Sequence, residues 1–408
     1  MLYELWQNFT HNLFKPLLLF FYFGFLIPIL KVRFEFPYVI YQGLTMYLLV
    51  AIGWQGGEEL AKVKPAEIDN IAGFVALGFA LNFVVGVLTY FLLRYLTRLR
   101  RVDRAAVAGY YGSDSAGTFA TCVAVLTSLG IAFDAYMPVL LAFMEIPGCL
   151  VALYLVARLR HRGMDDSGYM PDEPGYMAPV RVGPGAAAQR ERADGVDDRI
   201  ERGIEEELEF SLEKRERPEW YGDTSQRTKT PLFSRAILQE VFLNPGLILL
   251  VGGIAIGFIG ALQGQKVVHD QNELFVAAFQ GVLCLFLLEM GMTASRKLRD
   301  LKLAGSGFIV FGLVVPNVFA TLGILSAYGY ANLTDTHFQP GTYVLFAVLC
   351  GSASYITLPA VQRLGIPEAS PTLPLAAALG LTFSYTVTIG IPLYVEINRA
   401  VAHWFPIS

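Results

Sequence analysis

The chain contains one hydrophobic module twice. Residues 42–64 (QGLTMYLLVAIGWQGGEELAKVK) align without a gap with residues 280–302 (QGVLCLFLLEMGMTASRKLRDLK). Further along, the cluster Gly112-Ser113-Asp114-Ser115 has a counterpart in Gly351-Ser352-Ala353-Ser354, and both clusters interrupt apolar segments. A duplicated apolar module that breaks at matching places is typical of secondary transporters, where interrupted helices build a site near the bilayer midplane.

The composition favours a membrane protein. Hydrophobic residues make up 54% of the chain and charged residues only 16%, against about 25% charged in soluble domains. Residues 160–235 hold 17 of the 35 acidic and 13 of the 31 basic residues, so the rest of the chain is apolar enough for lipid. The net charge of −4 gives no indication of nucleic-acid binding.

Ten segments are long and apolar enough to span a bilayer, which needs about 20 residues. Five precede the charged stretch and five follow it, so the sequence predicts an all-α polytopic membrane protein with a 5+5 repeat. An odd number of spans per copy makes the repeat inverted. The segments lie at 13–30, 37–55, 68–96, 104–130, 135–158, 240–262, 272–293, 303–328, 340–364 and 370–398.

Three domains follow from this pattern: a first five-helix repeat (1–159), a charged linker (160–235) and a second five-helix repeat (236–408). With the N-terminus outside, 15 Lys and Arg residues flank the inner ends of the spans and 5 flank the outer ends. The positive-inside rule therefore places both termini outside and the linker in the cytoplasm. The linker is either solvated chain or a docking element for a cytoplasmic regulator.

The two polar clusters predict broken helices in spans four and nine. Ser and Asp are preferred N-caps, so each cluster resembles the start of a second half-helix. Inverted symmetry would bring these helix N-termini together, where N–H groups and hydroxyls attract a small anion without Lys or Arg. The alternative is that Gly and Ser only permit close helix packing.

Acidic and hydroxyl side chains in the spans are candidates for ion coupling. Asp114 could be a cation ligand, a protonatable group or a helix N-cap, and its insertion costs on the order of 2.5–3.5 kcal/mol. Glu145, in MEIPG, either satisfies groups freed by Pro147 or joins the cation site. Span ten gathers hydroxyl groups that line the route or bond across helices: Thr382, Ser384, Tyr385 and Thr386. The four cysteines are expected to be small buried hydrophobes.

The chain resembles the sodium-dependent bicarbonate transporter family of cyanobacteria and other bacteria. The resemblance rests on YYGSDSAGT, MEIPG, LEMGM and GSASYITLPAVQRLGIPEASPTLPLAAALGLTF, and it covers nearly the whole chain outside the linker. It implies bicarbonate and Na⁺ binding between two crossing broken helices, a homotrimer in the bacterial inner membrane, no cofactor beyond Na⁺, and a PII-like cytoplasmic protein as a candidate partner. The implied substrate region comprises Gly112, Ser115, Thr118, Gly351, Ser352 and Ser354. Ser113, Gly117 and Tyr355 are further candidates for substrate binding beside these positions. The candidates for sodium or proton coupling, taken from the residues themselves, are Asp114, Glu145 and Thr382.

The cyanobacterial pattern is closer to G-A-V-S-G-S-T, where this chain has Asp114 in place of an apolar residue and Gly117 in place of Ser. Three other functions are open on sequence grounds: a carrier of another organic or inorganic anion, a membrane enzyme, and a membrane sensor that signals through its linker. The enzyme has the least support, because G-x-S-x-G, H-E-x-x-H and nucleotide-binding loops are missing from the sequence.

Overall fold

The computed structural model describes residues 15–177, 235–298 and 305–404. Helices make up 79% of these residues, and none of them forms a strand. The predicted all-α class is therefore confirmed for the described part of the chain. The central part of the linker, 178–234, lies outside it.

Seven α-helices are described before the linker, together with a short 3-10 helix at Pro65–Glu67. Two of the predicted spans are interrupted: span four after Tyr111, and span five at Glu145, where the next turn contains Pro147. The helices are α1 (Pro16–Ile29), α2 (Tyr38–Leu60), α3 (Ile68–Leu96), α4 (Arg101–Tyr111), α5 (Ala116–Ser128), α6 (Met137–Met144) and α7 (Ile146–His161).

Eight helices are described after the linker. They are α8 (Arg235–Phe242), α9 (Pro245–Gln263), α10 (Gln265–Asn272), α11 (Phe279–Lys297), α12 (Ser306–Thr334), α13 (Pro340–Gly351), α14 (Thr357–Gly365) and α15 (Leu373–Trp404). Helix α15 contains π-helical stretches at Ala376–Phe383 and Thr386–Gly390, and π-bulges inside helices are frequent at functional sites.

Six helical stretches in the described part are long and apolar enough to cross a membrane. They are Ile68–Leu96, Met137–His161, Pro245–Gln263, Gln265–Lys297, Ser306–Thr334 and Leu373–Trp404, with shorter apolar helices at Pro16–Ile29 and Pro340–Gly351. Where they are described, the ten predicted segments overlap helix, and the third matches Ile68–Leu96 at both ends. Residues 13–14 of span one and 303–304 of span eight lie outside the described residues, and other boundaries differ. Span six begins at Pro245 instead of residue 240, because Asn244 caps a new helix by accepting from Leu247 N at 2.9 Å.

Glycines let two pairs of helices pack backbone to backbone. A Cβ at Gly53 of α2 would lie 2.4 Å from the Leu250 carbonyl oxygen of α9, and one at Gly291 of α11 would lie 2.1 Å from the Phe21 carbonyl oxygen of α1. Gly53 and Gly291 are aligned partners in the duplicated module. The same position therefore makes the same kind of close approach in both copies.

The first residues of the linker pack against the rest of the chain as irregular structure. Asp165 accepts from the N–H groups of Tyr169 and Met177, each at 2.8 Å. Glu173 accepts from Arg101 N at 2.8 Å, at the start of α4. This part of the linker is thus attached to the first interrupted helix. Three of the cysteines are buried, as expected, while Cys284 is partly exposed.

We expect Gly53→Ala and Gly291→Ala each to lower the thermal unfolding midpoint of the purified protein. Each added methyl group collides with a backbone carbonyl that cannot rotate away, and such overpacking costs about 1–3 kcal/mol. Gly252→Ala on α9 is the matched control, because nothing lies within 4 Å of its Cβ position. Equal midpoints for all three variants would contradict the close packing of these helix pairs.

Candidate functional site

The first break in a helix lies between α4 and α5, at residues 112–115. Ser115 occupies the N-cap of α5, and its hydroxyl accepts from Thr118 N at 3.3 Å and from Thr118 Oγ1 at 2.9 Å. A capped second half-helix was predicted here, and it is present. The interpretation of Asp114 as the cap is wrong, because Ser115 holds that position.

The second break lies between α13 and α14, at residues 352–356. Its N-cap position is taken by Ile356, which has no polar side chain, and the first turn of α14 receives no side-chain cap. The predicted Ser cap is therefore wrong for this copy, since Ser352 and Ser354 lie further back in the extended stretch. The longer break leaves the Ser352 hydroxyl buried without a hydrogen-bond partner in the described structure.

The two breaks contact each other through the backbone. Ser354 N lies 2.8 Å from the Tyr110 carbonyl oxygen and 3.2 Å from that of Ser113, and donates to both. The Tyr110 hydroxyl donates to Gln362 Oε1 at 3.0 Å, which attaches α4 to α14. The predicted meeting of the two clusters is thus present in the fold.

Tyr355 extends this contact to the first turn of α5. A Cβ at Gly117 would lie 2.0 Å from the Tyr355 hydroxyl, which leaves no room for a side chain at position 117. A serine at position 117 would collide with the Tyr355 hydroxyl as it is placed here. The hydroxyl faces the Ser115 side chain without a hydrogen bond of good geometry.

Asp114 is buried at this crossing without a partner. Its side chain is 1% exposed, and neither carboxylate oxygen has a hydrogen-bond partner among the described residues. The charged neighbour that acts on it is Glu145, another acid. A buried carboxylate without a donor or a cation is costly, so this group requires either a proton or a positive ligand.

Glu145 ties both breaks to the interruption between α6 and α7. Its carbonyl oxygen accepts from Ser113 Oγ at 2.6 Å, and its carboxylate accepts from the Thr357 hydroxyl at the start of α14. Asn82 of α3 donates to the neighbouring Met144 carbonyl oxygen at 2.9 Å. The side chain therefore contributes structurally, and it also places a second carboxylate beside Asp114.

Thr382 is fully engaged in hydrogen bonds. Its hydroxyl lies 2.5 Å from the Tyr111 hydroxyl and donates to the Gly312 carbonyl oxygen at 3.1 Å. It therefore holds α15 and α12 against the end of α4. Of the other two predicted coupling residues, Glu145 is the one whose charge acts on Asp114.

Several polar residues of the site were not predicted. Asn82, Thr357 and Gln362 support the breaks, and no spacing in the sequence singles them out. Tyr394 of α15 is also buried with an unpartnered hydroxyl, which would lie 3.3 Å from a Cβ at Gly351. The repeated spacing of Thr386, Gly390 and Tyr394 along one helical face is a signal that could have revealed it.

A small cavity lies beside the first turn of α5. Its volume is about 10 Å³, which is at the lower limit for a single water molecule. It is enclosed mainly by apolar side chains of α2 and α11 together with the start of α5: Thr45, Leu48, Leu49, Ile52, Ala116, Gly117, Ala120, Phe286 and Ile356. A ligand larger than water needs these helices to separate.

A sequence comparison identifies the family. The sequence model of the Na⁺-dependent bicarbonate transporter superfamily matches residues 16–399, nearly the whole chain. The chain belongs to this superfamily. The resemblance inferred from the polar clusters and the MEIPG segment is therefore confirmed, and membership implies a membrane transporter and not an enzyme. No curated protein matches the chain significantly.

We expect Gly117→Ala to destabilise this superfamily member, by about 1–3 kcal/mol if the tyrosine cannot move away. Because the colliding atom is the Tyr355 hydroxyl, the double variant Gly117→Ala/Tyr355→Phe should regain much of the lost stability. The measurement is a double-mutant cycle on thermal unfolding midpoints. Strict additivity of the two substitutions would show that residue 117 and Tyr355 do not meet.

Proposed function

We propose that the protein imports bicarbonate together with Na⁺, at a site between the two broken helices. The observation that carries this proposal is the contact of Ser354 N with the Tyr110 and Ser113 carbonyl oxygens. It joins both breaks beside Asp114, a carboxylate without a partner in the described structure. Superfamily membership supports the transport class, and these groups supply chemistry for an anion and a cation.

The proposed architecture is ten transmembrane helices in an inverted 5+5 repeat. The pairing of α2 with α9 and of α1 with α11 supports it, since span two meets span six and span one meets span seven. In the repeat, span one corresponds to span six and span two corresponds to span seven. The symmetry therefore converts one of these helix pairs into the other. The aligned glycines Gly53 and Gly291 lie at the close approaches in both pairs.

The anion would bind at the first turn of α5. The Ala116 and Gly117 N–H groups lie in this turn, ahead of the first intrahelical bond, where helix N–H groups attract anions. Ser115 and Thr118 add hydroxyls, and the crossing backbone of Ser352 and Ser354 borders the same region. Bicarbonate is small and planar, and hydrogen-bond donors of this kind suit it without a permanent positive charge.

The cation would bind at Asp114. Na⁺ prefers oxygen ligands, and unwound transmembrane segments supply them as carbonyls and hydroxyls. The Asp114 carboxylate and the Ser352 hydroxyl are buried, and neither has a hydrogen-bond partner in the described structure. Glu145 adds negative charge nearby. A bound Na⁺ would neutralise Asp114 and offset its repulsion of the incoming anion.

The location, assembly and partner follow the same proposal. Positive charge at the inner ends of the spans supports an inner-membrane protein with both termini outside and a cytoplasmic linker. The linker begins against α4, and Arg160 of α7 pairs with Glu368 after α14 at 2.7 Å. A regulator bound to the linker would therefore act close to both broken helices. The homotrimer and the PII-like partner stay predictions.

Uptake of labelled bicarbonate into proteoliposomes tests the proposed function. We expect uptake at alkaline pH, where little CO2 is present, to require an inward Na⁺ gradient. Tyr355→Phe should raise the KM for bicarbonate, because it removes a hydroxyl beside the anion site. Tyr343→Phe is the matched control. The Tyr343 hydroxyl is also buried and unpartnered in the described structure, but its ring stacks on Tyr328 and belongs to neither break. Uptake independent of Na⁺, or equal KM values for both variants, would count against the proposal.

Asp114→Asn distinguishes two coupling roles of that carboxylate from no coupling role. If Asp114 binds Na⁺, the variant should show a weaker dependence of uptake on external Na⁺ at fixed pH. If it carries a proton, the pH profile should flatten while Na⁺ dependence persists. Unchanged Na⁺ and pH profiles would remove Asp114 from coupling altogether. Uptake measured against Na⁺ at two pH values distinguishes these outcomes.

A further inference from the structure

Arg104, in the first turn of α4, is a buried cation with no hydrogen-bond or ion-pair partner among the described residues. The residue is 8% exposed, and its Nε atom is buried without a hydrogen-bond partner in the described structure. The guanidinium lies over the ring of Tyr90 on α3, 5.6 Å from the centroid. A desolvated guanidinium normally forms an ion pair, and stacking on an aromatic ring replaces only part of that interaction.

The charged groups around Arg104 do not neutralise it. Arg94 on α3 and Arg101 on α4 repel it, and the nearby acid is Glu173 of the linker. Both Glu173 oxygens are already used, by Arg101 N at 2.8 Å and by Met170 N at 2.9 Å. Arg101 is itself paired with Asp172. Arg94 and Arg104 are therefore two neighbouring cations, and no described anionic side chain is bonded to either of them.

The position of this pair in the fold indicates what the anion is. Helix α3 has 29 residues and is about 44 Å long, longer than the hydrocarbon core of about 30 Å, so its last turns lie at headgroup depth. Below Arg94, one stripe of α3 is exposed and apolar: Val84, Leu88, Phe91 and Tyr95, at 39–80% exposure. If Arg94 and Arg104 hold the phosphate of a lipid, the acyl chains of that lipid can lie along this apolar stripe.

We propose that Arg94 and Arg104 form a binding site for the phosphate of an anionic phospholipid, whose chains lie along the α3 stripe. The site is separate from the proposed bicarbonate site, and its occupancy does not depend on which substrate is transported. Because Arg104 belongs to the half of the broken helix that ends at Tyr111, the lipid would stabilise the segment that carries the Ser354 contact.

The test uses the purified full-length protein in mild detergent, with thermal unfolding as the readout. The probes are short-chain phosphatidylglycerol, short-chain phosphatidylcholine and inorganic phosphate. We expect phosphatidylglycerol alone to raise the unfolding midpoint. Arg104→Gln and Arg94→Gln should each weaken its apparent affinity by about tenfold, the loss of one charged hydrogen bond.

Arg158→Gln is the matched control, because Arg158 is an exposed arginine on α7 and its loss removes the same charge. It should change the apparent affinity by less than about twofold. If Arg104→Gln fails to fold, the Arg94→Gln variant still provides the test, because Arg94 is exposed. Equal effects of the two lipids, equal loss in the control, or stabilisation by inorganic phosphate alone would each overturn the lipid assignment.

Discussion

The fold depends on the need to satisfy unwound backbone inside a hydrocarbon environment. No water is present in the bilayer core, so an interrupted helix is tolerated only where protein groups accept and donate in place of the lost bonds. Here the interrupted segments form hydrogen bonds with one another. Ser354 N donates to the Tyr110 and Ser113 carbonyl oxygens, and Ser113 Oγ donates to the Glu145 carbonyl oxygen. The breaks are therefore interdependent, and removing one exposes polar groups in its neighbours.

Close approach of the backbones is what makes this exchange possible. A Cβ at Gly148 would lie 2.1 Å from the Gly109 carbonyl oxygen and 2.5 Å from Ser113 Oγ, so only glycine allows α7 to pass the first break. Gly112 plays the same part toward Gly86 of α3, with a Cβ distance of 2.9 Å to its Cα. Small residues thus set the spacing at which a serine hydroxyl reaches a carbonyl across helices.

Much of this arrangement could be predicted from the sequence. The interruption of span four and the meeting of the two clusters follow from the apolar pattern and from the Ser and Asp residues that favour a helix N-cap. The asymmetry of the second break could not be predicted, because Ser352 and Ser354 suit an N-cap as well as Ser115 does. The roles of Asn82, Thr357 and Gln362 depend on contacts between distant parts of the chain, and the π-helical stretches of α15 leave no distinctive local pattern.

The pattern of this chain departs from the cyanobacterial one at Asp114 and at Gly117, and each departure has its own physical consequence. An anion site built from N–H donors gains nothing from a carboxylate, which repels the substrate unless a cation or proton is bound. In the proposed mechanism, Asp114 makes anion binding at this crossing conditional on neutralisation, and Glu145 increases the demand for positive charge. At position 117, a serine would occupy the space of the Tyr355 hydroxyl. The glycine therefore leaves room for a hydroxyl delivered from the second break, and the proposed site is complete only with both breaks in place.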